Sequence, residues 1–155
     1  ASCIVYCEKM MEKKRFDVGY GCLFDSAIKA EAAFYDAFEQ ADLRAMMEVW
    51  DTHDCTCIHP MNHRVACFDA ISDRWQLIFQ SDVQLGFHLT QARYRVEAGL
   101  AVHQVCENIS FVNPVQRHDA KMLATNVYRP TAAGWKKVLP HASPVPGNVA
   151  SDSLH

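Results

Sequence analysis

At 155 residues the chain is long enough for one domain with little to spare, and 50% hydrophobic against 21% charged residues is the composition of a packed core, not of a disordered chain. Lys plus Arg total 15 against 18 for Asp plus Glu, a formal charge of -3, with no basic run beyond Lys13, Lys14 and Arg15; nucleic acid is therefore excluded as a partner. Seven scattered cysteines (Cys3, Cys7, Cys22, Cys55, Cys57, Cys67 and Cys106) read as reduced thiols.

Residues 1–25 fit the remainder poorly. Ile4 to Arg15 could form a helix, but Gly19 and Gly21 break its period, so the stretch reads as an N-terminal extension. Charged Glu8, Lys9, Glu12 and Lys13 interrupt any signal-peptide core, and no apolar run approaches the roughly 18 residues of a membrane span, so a soluble, cytoplasmic protein without membrane contact is expected. From Ser26 the pattern sharpens. Ser26 caps a helix in which Ile28, Ala32, Tyr35 and Phe38 recur at helical spacing with Phe34 beside them, and Asp42 caps a second, Leu43 to Trp50. Cys55 to His59, ended by Pro60, reads as a strand, and Asn62 and Arg64 as part of the loop after it. A third helix, about Phe68 to Gln80, aligns Ile71, Trp75, Ile78 and Phe79 on one face.

The character then changes. Val83 to Val96, Leu100 to Val112, Lys121 to Arg129 and Trp135 to His141 alternate apolar and polar residues and are separated by turn-like segments, which predicts antiparallel strands joined by hairpins. Helices first and a meander afterwards imply an α+β fold, three N-terminal helices packed on a curved, mostly antiparallel β-sheet. Such a cone has either a filled core or a pocket. The domain is expected over 26–144, with 145–155 as a loose C-terminal tail.

The stretch Ala30 to Trp50, then Cys57-Ile58-His59-Pro60, Trp75 to Phe79, Thr125-Asn126-Val127-Tyr128, Gly134-Trp135 and His141-Ala142-Ser143-Pro144 resembles the SnoaL-like branch of the nuclear transport factor 2-like superfamily. The resemblance covers about residues 26 to 144. It implies a cone-shaped fold with a pocket between helices and sheet, and a homodimer through the outer face of the sheet. It leaves function wide, because the fold hosts isomerases, cyclases, hydrolases and scaffolding domains.

Within that frame His59 falls about where ketosteroid isomerases hold their general-base aspartate, and an imidazole there suits proton transfer near neutral pH. The competing reading is a histidine packed at the pocket floor. Phe34 takes the place of the isomerases' oxyanion-binding tyrosine, with Tyr35 one residue out of phase, and Thr125 or Asn126 meets the late-strand acid, which argues against steroid isomerisation. Glu107 shares a strand face with His103, Val105 and Ile109 and could be a pocket acid or the partner of His59 or His141. His141 remains where relatives show consecutive histidines. Phe34, Trp50, Trp75 and Phe79 would line an aromatic wall, and Asn126 and Tyr128 alternate as donors on one face.

No metal is expected. Cys55, Cys57 and His59 alternate on one strand at about 6.5–7 Å per step, too far apart to close on one tetrahedral zinc. Buried Cys57 and Cys106 would be inert thiols unless His59 or His141 comes within reach. The sequence thus points to a small apolar or aromatic molecule as partner, handled without a cofactor by His59 as base with Glu107 or His141 orienting it. The alternative is a non-catalytic association module with a filled cone.

Overall fold

In a computed structural model, which describes residues 24–60, 62–81 and 83–146, both predicted caps are in use. The Ser26 hydroxyl accepts from Lys29 N and the Asp42 carboxylate from Ala45 N, each satisfying a donor that the first helical turn leaves open. They begin helices α1 (Ala27–Glu39) and α2 (Leu43–Val49). Next come strand β1 (Thr56–Ile58), β2 (Arg64–Ala66), helix α3 (Phe68–Phe79), and strands β3 (Gln84–Glu97), β4 (Leu100–Val112), β5 (Arg117–Thr131) and β6 (Gly134–Pro144). Among the described residues, three helices thus pack on one six-stranded sheet of order β2-β1-β6-β5-β4-β3, in which only β1 and β6 run parallel.

Four expectations need correcting. Arg64 lies in a strand, not a loop; three residues are too few to show an alternating pattern, and β2 exists because it pairs with β1. β5 begins at Arg117 because the polar Arg117–Ala120 stretch pairs with the end of β4. β6 continues past Pro140 to Pro144, and β1 itself pairs with it only at Ile58↔His141, which leaves room for residues without an N–H. Phe24, assigned from sequence to the extension, accepts a 2.9 Å hydrogen bond from Trp135 N and packs into the core. Residues 1–23 and 147–155, which hold the rest of the expected extension and nearly all of the expected tail, lie outside the described residues.

Strand register decides which side chains meet the helices. Odd positions of β4 (Ala101, His103, Val105, Glu107, Ile109) and even positions of β5 (Ala124, Asn126, Tyr128) are buried. In β6 the parity switches midway. Val127 pairs with Leu139 but Tyr128 with Lys137, so Val138 is an extra, bulged residue. Directly opposed residues share a face, so Lys137 joins Tyr128 inside, and beyond the bulge Pro140 joins Asn126. The core between helices and sheet is aromatic: the Phe34 ring stands edge-on to Tyr35, Phe38, Trp50 and Trp75 at 5.1–6.5 Å.

The segment after α2 is tied to β6 where Asp51 N donates to Lys137 O at 2.9 Å. The Asp51 carboxylate accepts from His53 N, Asp54 N and Arg129 Nε at 2.8, 3.0 and 2.7 Å. Burial pushes its pKa up, but Arg129 and the two amides outweigh that and hold the group below the ordinary carboxylate range. A depressed folded pKa gives stability that is complete above the unfolded value and lost as pH falls through the folded one. Asp51→Asn is therefore expected to cost about 1 kcal/mol at pH 7, Arg129 being partly solvated, with the gap to the parent closing at pH 2–3. Urea denaturation at the two pH values checks this.

Candidate functional site

Between α1, α3 and the inner face of the sheet lies a cavity of about 290 Å³. Phe34, Phe38 and Trp75 form its helical wall, and Phe87, Ile109 and Met122 much of its sheet wall. Polar groups on it are few: Glu107 and Asn126 from β4 and β5, and Cys57 and His59 around β1. An apolar cleft with a small number of placed polar groups is the usual form of a small-molecule site.

Glu107 is the best-ordered of these. Tyr35 donates a 2.6 Å hydrogen bond to Glu107 Oε1, and Asn126 Nδ2 donates to the Tyr35 oxygen at 3.1 Å and to Glu31 Oε2 at 3.3 Å. The Tyr128 hydroxyl donates to Glu31 Oε2 at 3.5 Å, and the same oxygen lies 3.1 Å from His103 Nδ1 at an angle that makes the contact electrostatic, not a hydrogen bond. Lys137, fully buried, completes the cluster: its Nζ sits 3.0 Å from the centroid of Phe34, with no hydrogen-bond partner among the described residues.

These neighbours set the protonation states. Burial pushes the Glu107 carboxyl above its ordinary value, the Tyr35 hydrogen bond and the Lys137 charge oppose that, and the Glu31 charge adds to it. Burial pulls Lys137 down to about 7 against the pull of Glu31, Glu107 and Cys57. Tyr35 and Tyr128 are raised, first by burial, and stay protonated. His59 is half-buried; burial, then Arg74 and Lys137, bring it down to about 4, so at neutral pH it is an uncharged imidazole.

The three residues proposed from sequence for catalysis do not converge. Glu107 is engaged by Tyr35, whereas His59 Nε2 lies 3.3 Å from Cys57 Sγ and its ring packs edge-on against Trp75 at 5.2 Å. Among the described residues no hydrogen bond joins His59 to Glu107 or His141. His141 borders the cavity but is exposed, and its register with Thr125 sets it on the opposite face from Asn126 and Pro140. Of the expected binding residues, Phe34, Trp75 and Asn126 line the cavity, whereas Trp50, Phe79 and Tyr128 are set back from it. Sequence reasoning passed over Glu31, Tyr35 and Lys137. Glu31 stands at i, i+3, i+4 and i+7 with Phe34, Tyr35 and Phe38, a carboxylate within an apolar stripe, and that signal could have found it.

The sequence profile described as the SnoaL-like domain matches residues 28–147. No match is found among curated proteins. Among solved structures, a protein of Streptomyces avermitilis described as a "putative dehydratase from the NTF2-like family" superposes with a TM-score of 0.70 at 28% identity, over 76% of this chain and 91% of that one. A "putative calcium/calmodulin-dependent protein kinase type II association domain" of Thiobacillus denitrificans gives 0.67 at 33% identity, over 79% and 97%. A ketosteroid isomerase-like protein of Erwinia carotovora atroseptica gives 0.64 at 17%, over 76% and 92%, a likeness of fold alone.

The electrostatics predict opposite effects of two substitutions on Glu107. Removing the nearby negative charge in Glu31→Gln lowers its pKa, and removing the positive charge in Lys137→Met raises it further. Carboxyl-selective ¹³C NMR titration of the three proteins, with Glu107→Gln to assign the resonance, measures both shifts; each is expected to be on the order of one unit.

Proposed function

The chain belongs to the SnoaL-like branch of the nuclear transport factor 2-like superfamily, and from its site we infer that it binds a small, largely apolar organic molecule and transforms it by cofactor-free acid/base chemistry. One observation carries this reading: a carboxyl group, Glu107, with its pKa raised by burial and its Oε1 fixed by Tyr35, stands on the wall of an otherwise apolar cavity. Isomerase, cyclase and hydrolase reactions of this kind need a proton moved at carbon or oxygen beside a carbonyl, and the Streptomyces relative adds dehydration to that set.

In this reading Glu107 gives and takes the proton, and the neutral His59 imidazole, also on the cavity lining, is the second base. Tyr35 holds Glu107 in place and Asn126 orients Tyr35. The helices and sheet form a cone around the ligand, and the apolar side chains left on the sheet, such as Leu123 at 49% exposure, cover one another in a homodimer. A reducing, cytoplasmic setting suits the free Cys55, Cys57, Cys67 and Cys106.

A second reading, a non-catalytic association module, is supported by the Thiobacillus relative's description. It calls for a filled interior, so displacement of an apolar fluorophore from the cavity separates the two. The expected outcome of a screen of β-hydroxy ketones and cyclic unsaturated ketones is turnover that falls by about 100-fold or more in Glu107→Gln. Failure of the fluorophore to bind, or turnover unchanged in both Glu107→Gln and His59→Ala, overturns the enzyme reading.

A further inference from the structure

Away from Glu107, a nucleophile and a base meet on the cavity wall. Cys57 Sγ lies 3.3 Å from His59 Nε2, the two residues being two apart and so on one face of the extended chain. The edge-on packing of the His59 ring against Trp75 fixes the imidazole plane, which keeps that nitrogen on the sulfur. Trp75 is 1% exposed, and its indole Nε1–H has no acceptor among the described residues. Cys57, His59 and Trp75 all line the cavity.

We propose that Cys57 and His59 form a thiol–imidazole site that adds covalently to an α,β-unsaturated carbonyl compound held in the cavity. His59 Nε2 takes the thiol proton as Sγ bonds to the β-carbon. The electron pair of the C=C bond moves through the α-carbon onto the carbonyl oxygen, and the imidazolium then returns the proton to the α-carbon. Thiol and enone combine into a saturated thioether; nothing is released and no oxidant is consumed. Burial keeps His59 neutral, down at about 4, and holds the Cys57 thiol up at about 12, so proton transfer between them is uphill on its own and runs only in concert with bonding of Sγ to a seated electrophile. Charged solutes in bulk water would then react elsewhere, at the exposed Cys67.

The proposal goes beyond the acid/base reading and does not need Glu107 to act: loss of labelling at Cys57 leaves the Glu107 test standing, and the reverse holds. The full chain is treated at neutral pH with 2-cyclohexen-1-one and, separately, with iodoacetate, and adducts are assigned by peptide mass spectrometry with fragmentation to separate Cys55 from Cys57. Expected are a thioether at Cys57 whose enone-to-iodoacetate ratio exceeds that of Cys67 by about tenfold or more, its absence in Cys57→Ala, and a rate about 100-fold lower in His59→Gln. Because the ratio is read within the unsubstituted protein, it stands even where a variant fails to fold. No adduct at Cys57, a ratio equal to that of Cys67, or labelling of Cys55 in its place overturns the proposal.

Discussion

A fully buried lysine ammonium facing two buried carboxyl groups is the constraint on which this architecture turns. Moving Lys137 out of water is strongly unfavourable unless opposite charge accompanies it, and Glu31 from α1 and Glu107 from β4 supply that charge. One cation shared between two carboxyl groups leaves the cluster short of positive charge. Burial holds the Glu107 proton more tightly than in water, the Glu31 charge adds to that, and the Tyr35 hydroxyl, itself kept protonated, opposes it by donating to the carboxyl group. Because helix, inner strands and the strand bearing Lys137 each contribute one member, packing of α1 on the sheet and tuning of the site are a single event. The aromatic ring of Phe34 serves both sides of this arrangement, covering the ammonium on one face and walling the cavity.

Around that charged centre the cavity survives because its walls are stiff. Phe34, Phe38, Trp75 and Phe79 interlock edge to face at 4.7–6.0 Å and cannot easily collapse inward, and the strands opposite are held by pairing that is continuous between β4 and β5 and shifts register once, at Thr90–Arg93, between β3 and β4. The buried polar cluster with its raised pKa values lies toward the core, whereas the Cys57–His59 pair stands beside the short β1. Two kinds of chemistry thus occupy different parts of one small space.

Much of this was legible in the sequence, and the boundary of legibility is physical. The first two helices were readable because Ser26 and Asp42 are good caps placed before 3.6-residue periodicity, and β4 because Leu100 to Val112 is a long run rich in Val, Ile and Phe that alternates over most of its length. The same alternation put Glu107 on one face with His103, and Asn126 with Tyr128. β2 was missed for want of length. Tyr35 was set aside because it is one residue out of phase with Phe34, yet successive residues on a helix are about 100° apart and two neighbours can border the same buried face. The outward direction of His141 was not readable for a related reason: it depends on a bulge upstream, and bulges leave no mark in composition. Lys137 suffered the same fate, since a lysine in an amphipathic strand ordinarily faces solvent.

That bulge makes β6 behave like a message whose frame shifts once. Before Val138 the odd positions are read inward, after it the even ones, so a single strand delivers a charge to the deep end and proline and alanine to the rim. Substitution at Val138 would leave both halves in phase with their neighbours, while deletion of one residue there would turn one half inside out, exchanging Lys137 with the residues now facing solvent. For this fold, drift in the identity of the bulged residue is cheap and drift in its count is not, and the spacing between Lys137 and Pro140 becomes a sharper signature of the site than either residue alone.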